Sequence, residues 1–158
     1  VAFAEPERTP TSNGWAVEPR GLYEALVRVH AEYDPLPLYV HESGGAFPDR
    51  VGADGVVHDA DRLTYLADHV RACHDALAAG VDLRGYFVWS LLDNFEWAEG
   101  YHQRFGIVHV DFATQERVPK ESAVWYSNVV RTNQVHVNHG RANQVADDPA
   151  PPGGGALS

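Results

Sequence analysis

The sequence predicts an α/β fold built around a βαβ unit. Residues 38–40 and 85–89 are two short apolar runs of the kind found in buried parallel strands. Between them lie a loop and then a segment whose apolar residues recur at helical spacing. Parallel neighbours need a crossover connection of this length, so we predict two parallel strands joined by a helix.

A loop and a helix lead into this unit. Residues 1–14 are rich in Pro, Thr, Ser and Asn and show no period, which predicts an incoming loop from a preceding N-terminal part of the protein. Pro19 suits the first turn of a helix. Asp34 and Pro35 end the helical pattern, whose apolar face carries Leu22, Leu26, Val29 and Tyr33.

The crossover between the strands is predicted in three parts. Residues 44–58 contain glycines and prolines without a period, which indicates a flexible loop. Asp59 is placed to cap a helix that Gly80 would end, and its apolar face carries Leu63, Leu66, Val70 and Leu77. The second strand is apolar on both faces, so we expect helices on one side of it and packed side chains on the other.

A hairpin, a helix and a tail are predicted after the second strand. Residues 104–118 read as two short strands around a turn at residues 113–115. Pro119 is predicted to open a last helix that runs through Trp125, Tyr126 and Val130. Residues 15–132 would thus be the folded part. Residues 133–158 end in a Pro- and Gly-rich run with too little apolar surface to offset its ordering entropy, so we expect a disordered tail.

The composition argues against several partners. The 12 Lys and Arg against 22 Asp and Glu give a net charge of −10, which repels phosphate backbones and anionic lipids. We therefore expect neither nucleic acid nor a membrane as a partner. The histidines lack tight metal-ligand spacing and there is no glycine-rich phosphate-binding fingerprint, so we expect no metal and no cofactor. Cys73 is predicted to be a small buried hydrophobe rather than a reactive thiol.

The first residue and the lack of methionine bear on whether the sequence is complete. Val1 is the first residue and the sequence contains no methionine, so we expect a piece of a longer protein. A cytoplasmic location is favoured over secretion, although a signal peptide would lie in the missing N-terminal part.

Two carboxylates are candidates for chemistry. Glu42 follows the first strand, and Trp89 ends the second. Ligands of α/β folds bind where parallel strands end, so both residues are expected at one site, with Glu42 as a nucleophile. The structural alternative is a glutamate paired with an arginine at the rim of the sheet.

Glu96 lies in an aromatic setting, with Trp97 beside it and Trp89 a few residues before. An indole face packs on the C–H face of a sugar ring, and a carboxylate accepts hydrogen bonds from neighbouring hydroxyls. The alternative is that the tryptophans belong to the core and that Glu96 is merely solvated. The combination favours a sugar-binding surface.

The chain resembles glycoside hydrolase family 1, the β-glucosidases, over residues 14–131. The resemblance is carried by Trp89-Ser90-Leu91-Leu92-Asp93-Asn94-Phe95-Glu96-Trp97, then Tyr101, Arg104-Phe105-Gly106-Ile107, Asp111 and Pro119-Lys120. It implies a (β/α)8 TIM barrel of which this chain would supply the C-terminal part, the last two βα units.

Site residues are implied one by one. Glu42 matches the family's nucleophile, in a motif usually written Thr-Glu-Asn-Gly that reads His-Glu-Ser-Gly here. Trp89 matches the platform beneath the sugar, Glu96 the acceptor for hydroxyls remote from the reacting carbon, Trp97 an indole N–H donor, and Phe105 a residue of the pocket wall. The implied reaction is retaining hydrolysis of a β-glucoside or related neutral sugar.

The resemblance also sets limits. The family's acid/base glutamate lies in an Asn-Glu-Pro motif that this sequence lacks, so the chain alone is expected to be inactive without the N-terminal part of the barrel. Three other functions stay open: a non-catalytic carbohydrate-binding protein, a phospho-β-glycosidase and a transglycosylase. A phosphate-binding site is disfavoured because no Lys or Arg occurs between Arg84 and Arg104.

Overall fold

The computed structural model describes residues 10–33 and 36–135. In chain order, the elements of these ranges are α1 (Pro19–Glu32), β1 (Leu38–Ser43), α2 (Ala60–Ala78), β2 (Leu83–Val88), a 3-10 turn (Trp97–Glu99), β3 (Val108–Val110), β4 (Arg117–Pro119) and α3 (Glu121–Thr132). None of the helices in these ranges is both long enough and apolar enough to cross a bilayer. Most of the predicted tail and most of the predicted incoming loop lie outside the described residues.

The predicted βαβ unit is confirmed. Strands β1 and β2 pair in parallel, with Leu38 opposite Leu83 and Val40 opposite Tyr86, and α2 lies in the crossover. The strands are longer than their apolar runs, because β1 continues through polar residues to Ser43.

One face of the strand pair packs against α1 and α2. Val40 and Leu83 of the strands form a buried cluster with Leu26 of α1 and with Cys73 and Ala76 of α2. Burial raises the pKa of the Cys73 thiol to about 11, so it stays protonated at neutral pH. Cys73 is thus the small buried hydrophobe that the sequence predicted.

The predicted apolar face of α2 is only partly right. Leu66 is fully buried, but Leu77 is 49% exposed. Most of the residues that α2 buries are small, which lets the helix approach its neighbours closely: Ala67, Ala72, Cys73 and Ala76. In the same way α1 buries Leu26 but leaves Val29 and Tyr33 exposed.

The helix ends follow local rules with two exceptions. Gly80 ends α2 as predicted, with φ +95° and with the Gly80 and Val81 amides donating to Leu77 and Ala76. Asp59 occupies the capping position of α2 but makes no side-chain capping bond. Pro119 does not open the last helix, because it is still paired with Val108 in the hairpin, and α3 begins at Glu121.

The hairpin is confirmed, and one face of the strand pair is left uncovered by the described residues. Strands β3 and β4 are antiparallel around a turn that includes residues 113–115. The second face of β1 and β2, called here the open face, carries Tyr39, His41 and Phe87. Tyr39 is 49% and Phe87 55% exposed. No element of the described residues covers this face, so the packed side chains that we expect there stay a prediction.

A histidine joins the β1–α2 loop to α3 on the surface. His58 lies 2.9 Å from Asp54 through Nε2 and 2.9 Å from Glu121 through Nδ1. These contacts, that with Asp54 first, raise the pKa of His58 above its ordinary value of 6.5. The imidazolium donates to both carboxylates, so this link is strongest when His58 is protonated.

We predict that His58 titrates above pH 6.5 in the folded protein. Because its pKa is raised on folding, its contribution to stability is fully present below 6.5 and is lost as the pH rises through the higher, folded pKa. NMR titration of the imidazole resonances measures this directly. Asp54→Asn lowers the midpoint, whereas Asp61→Asn, at an exposed carboxylate of the α2 first turn, leaves it unchanged. A midpoint at or below 6.5 in the unsubstituted protein contradicts the prediction.

Candidate active site

Glu42 and Trp89 lie at the same end of the strand pair. Ser43 is paired with Val88, and the Trp89 amide donates to the Ser43 carbonyl at 3.0 Å. The backbones approach so closely beyond this point that a Cβ on Gly44 would meet the Trp89 carbonyl oxygen at 1.7 Å. Glycine at this position is therefore required for the loop that follows Glu42 to lie beside Trp89.

A β-bulge determines which face carries Glu42. Val40 is opposite Tyr86 and Ser43 is opposite Val88, so three steps along β1 match two along β2. Regular alternation would place Glu42 on the face of Val40, which is buried beneath the helices. With the bulge, Ser43 takes the helix-covered face and bonds to Tyr86, and Glu42 is exposed on the open face.

Glu42 and Glu96 are not used in structural pairs. Neither side chain has a hydrogen bond or an ion pair with any other described residue. Two buried or partly buried arginines are paired with aspartates instead, Arg62 with Asp49 and Asp59, and Arg104 with Asp93. The alternative of a glutamate paired with an arginine at the rim is therefore not what the described residues show.

The aromatic candidates differ in exposure. Trp97 is 82% exposed and Trp89 is half-buried, so Trp97 at least is not a core residue in the described part of the chain. Phe105 is 4% exposed, and its ring centroid lies 6.0 Å from that of Trp15. Glu96 is half-buried, and its amide donates to Gly100 at 2.7 Å in the tight turn that carries Trp97.

The loop after β2 is fixed by a buried carboxylate. Asp93 accepts hydrogen bonds from the amides of Gly106 and Val110, from Arg104 at 2.6 Å and from Lys120 at 2.9 Å. Gly106 is required here, because a Cβ would meet the Asp93 amide nitrogen at 2.1 Å. These hydrogen bonds tie the start of the loop to its end and so fix the segment that carries the aromatic and acidic candidates.

The loop after β1 is bound to the same network. Asp49 accepts hydrogen bonds from both terminal guanidinium nitrogens of Arg62, at 2.8 and 2.7 Å, and from the ammonium group of Lys120 at 2.5 Å. Lys120 also donates to the Gly106 carbonyl, so it joins the loop of Glu42 to the loop of Trp89. We call the six buried or partly buried charges the ion cluster: Asp49, Asp59, Arg62, Asp93, Arg104 and Lys120.

Sequence reasoning missed this cluster. Asp59 was expected to cap α2, but its carboxylate bonds to Arg62 and to the Ser122 amide and hydroxyl of α3. The one available signal was that Asp93 and Lys120 fall within motifs singled out on other grounds. In the ranges described, no group of three or more side chains is placed to bind a metal ion.

The whole folded segment matches one known family. The sequence profile described as Glycosyl hydrolase family 1 covers residues 2–135. The chain belongs to this family. The family 1 resemblance read from the motifs is thereby confirmed, and the family's solved β-glucosidases are (β/α)8 barrels.

Relatives of this family 1 chain are named as β-glucosidases. It is 53% identical over 133 residues to beta-glucosidase A of Thermotoga maritima, covering 84% of this chain and 30% of the relative. It is 52% identical to thermostable beta-glucosidase B of Thermobispora bispora, covering 80% of this chain and 27% of the relative. The chain thus spans less than a third of these proteins.

Solved structures of the family have the same fold over this segment. The family 1 β-glucosidase from Thermotoga maritima superposes with a TM-score of 0.82 at 51% identity, over 85% of this chain and 31% of that protein. The same enzyme has been solved in complex with deoxynojirimycin, with a TM-score of 0.81, 51% identity and the same coverage.

We predict that Lys120→Met destabilises the family 1 fold. The substitution leaves Asp49 and Asp93 buried without their shared cation, which costs about 3 to 5 kcal/mol in the free energy of unfolding. A suitable host, called here the completed barrel, is a chimera in which the whole chain replaces the matching segment of the Thermotoga maritima beta-glucosidase A. Urea denaturation measures the change.

Arg28→Met is the matched control for Lys120→Met. It removes a cation from the exposed pair with Glu32, which is worth about 0.3 to 0.5 kcal/mol. Equal losses of stability in the two variants would show that the ion cluster contributes no more than a surface pair.

Proposed function

We propose that this chain is the C-terminal part of a retaining β-glucosidase and supplies its nucleophile, Glu42. It would form the last two βα units of the barrel. The observation that carries the proposal is the position of Glu42: exposed at the C-terminal end of β1, on the open face, next to Ser43, whose carbonyl accepts the Trp89 amide, and without a partner in the described residues. Family membership and the share of the relatives that the chain covers support it.

The chemistry follows from a free carboxylate at this position. Ionised Glu42 attacks the anomeric carbon, and a bond forms between its oxygen and that carbon as the bond to the departing alcohol breaks. The leaving oxygen takes a proton from a second carboxyl group, roughly 5 to 5.5 Å from the first. Water then hydrolyses the glycosyl ester. No Asn-Glu-Pro occurs in this sequence, so the second carboxyl would come from the rest of the barrel.

The sugar would be held by the loop after β2. Trp89 would form the platform for the ring, Glu96 would accept hydroxyl hydrogen bonds, and Trp97 would donate from its indole N–H. The exposure of Trp97 and the absence of a partner for Glu96 among the described residues leave both available. Phe105, which is buried beside Trp15, would line the pocket wall.

A neutral sugar fits this loop better than a phosphorylated one. Glu96 would repel a phosphate dianion. The nearest cation after it in the sequence, Arg104, bonds to Asp93 and to the Val110 carbonyl and lies 4.9 Å from the centre of the Phe112 ring. The loop therefore offers no free cation among its described residues for a phosphate.

We predict that Glu42→Gln abolishes turnover while leaving sugar binding intact. In the completed barrel, hydrolysis of p-nitrophenyl β-glucoside should fall by roughly a thousandfold or more, because the amide is not a nucleophile. A reversible sugar-like inhibitor should bind within about threefold of its original affinity. In the unsubstituted barrel, a 2-deoxy-2-fluoro-glucoside should add one sugar mass to Glu42, as measured by peptide mass spectrometry.

Glu99→Gln is the matched control, at an exposed glutamate in the same tight turn as Trp97. It should leave both turnover and labelling unchanged. Reversible sugar binding without an adduct would favour the carbohydrate-binding alternative, and faster cleavage of a 6-phosphoglucoside would favour the phospho-β-glycosidase. Equal loss of binding and turnover in Glu42→Gln would make Glu42 a structural residue.

A further inference from the structure

Two hydroxyl groups meet behind Glu42, on the helix-covered face of the strands. The Tyr86 hydroxyl of β2 donates to Ser43 Oγ at 2.9 Å. The small side chain at the end of β1 is thus bonded to the neighbouring strand.

This hydroxyl pair lies at the bulge that turns Glu42 outward. Ser43 is the first residue paired after the irregularity, opposite Val88, so its side chain marks where regular pairing resumes. A slip of one residue in a strand exchanges its two faces. A slip that placed Glu42 on the helix-covered face would break the bond between Ser43 and Tyr86 and bury a carboxylate beside Tyr86.

Tyr86 is suited to hold this register. Burial raises the pKa of its hydroxyl, so it stays protonated and remains a donor across the neutral range. A buried hydroxyl without a partner costs about 1 to 3 kcal/mol, which favours the arrangement in which Tyr86 and Ser43 are bonded. Ser43 is also one of this chain's departures from the usual family motif, which has Asn there.

We propose that Ser43 and Tyr86 are positioning residues for the nucleophile, fixing the bulge that aims Glu42 at the anomeric carbon. The inference rests on the proposed function and adds a role that Glu42 itself does not explain. Neither residue is on the open face, so neither would touch the sugar. They would affect how Glu42 attacks, not how the sugar binds.

Covalent trapping separates attack from binding. In the completed barrel, 2-deoxy-2-fluoro-β-glucosyl fluoride would be used to measure the limiting trapping rate and the dissociation constant of the reversible complex. We expect Ser43→Ala and Tyr86→Phe each to lower the trapping rate roughly 10- to 100-fold, as for a reacting group displaced by about 1 Å. The dissociation constant should stay within about threefold. Ser43→Thr, which keeps the hydroxyl, should restore most of the trapping rate.

Tyr126→Phe is the matched control. Its hydroxyl donates to the Tyr86 carbonyl at 2.9 Å, so the variant loses one tyrosine hydrogen bond to the same strand but none at Ser43. It should trap at the unsubstituted rate. Thermal melting followed by circular dichroism checks that each variant is folded, and Tyr86→Phe, which removes only an oxygen, serves if Ser43→Ala does not fold.

Two outcomes overturn the positioning role. In one, Ser43→Ala and Tyr86→Phe trap as fast as the unsubstituted barrel. In the other, Ser43→Ala and Tyr86→Phe weaken trapping and sugar binding together, and Tyr126→Phe weakens both by the same factor. That result is expected if each hydrogen bond merely stabilises the fold. Failure of the proposed function gives a different result, because the unsubstituted barrel would then form no adduct at Glu42.

Discussion

The architecture of the site depends on a cluster of buried ion pairs that joins its two loops. Three carboxylates and three cations neutralise one another there: Asp49, Asp59, Asp93, Arg62, Arg104 and Lys120. Burial lowers the pKa of Lys120. Burial also disfavours the charged form of Arg62, but the interaction with Asp49 outweighs this effect and the pKa of Arg62 is raised. Buried charges of this kind are tolerated only when nearly every donor and acceptor is paired, which leaves the loops one well-defined arrangement.

The arrangement explains how a short chain can hold the two loops of the candidate site together. The strands place Glu42 and Trp89 at one edge of the strand pair. The loops that follow the two strands, however, are tens of residues apart in the sequence. Lys120, at the start of α3, brings these loops together through Asp49 and Asp93. The backbone also approaches closely at Gly44 and Gly106, which packs the loops together. The free carboxylates then project from a scaffold whose own charges are already satisfied.

The sequence predicted whatever depends on local pattern. The parallel strands, the helix-ending Gly80, the hairpin and the shared edge of Glu42 and Trp89 all follow from apolar runs and turn residues. The bulge was not predictable, because it depends on the register against β2, and alternation alone puts Glu42 on the wrong face. The ion cluster was also missed, since its members are separated by up to 71 positions and are polar residues that usually face solvent. Pro119 misled for the opposite reason: a strong helix-start signal was overridden by pairing in the hairpin.

The decisive measurement is a crystal structure of the completed barrel trapped with a 2-deoxy-2-fluoro-glucosyl group. We expect continuous density from a carboxylate oxygen of Glu42 to the anomeric carbon, with the sugar ring over Trp89, Glu96 at its remote hydroxyls, and Lys120 bridging Asp49 and Asp93. A sugar bound elsewhere, or Glu42 turned onto the helix-covered face while the ion cluster stays intact, would contradict this expectation.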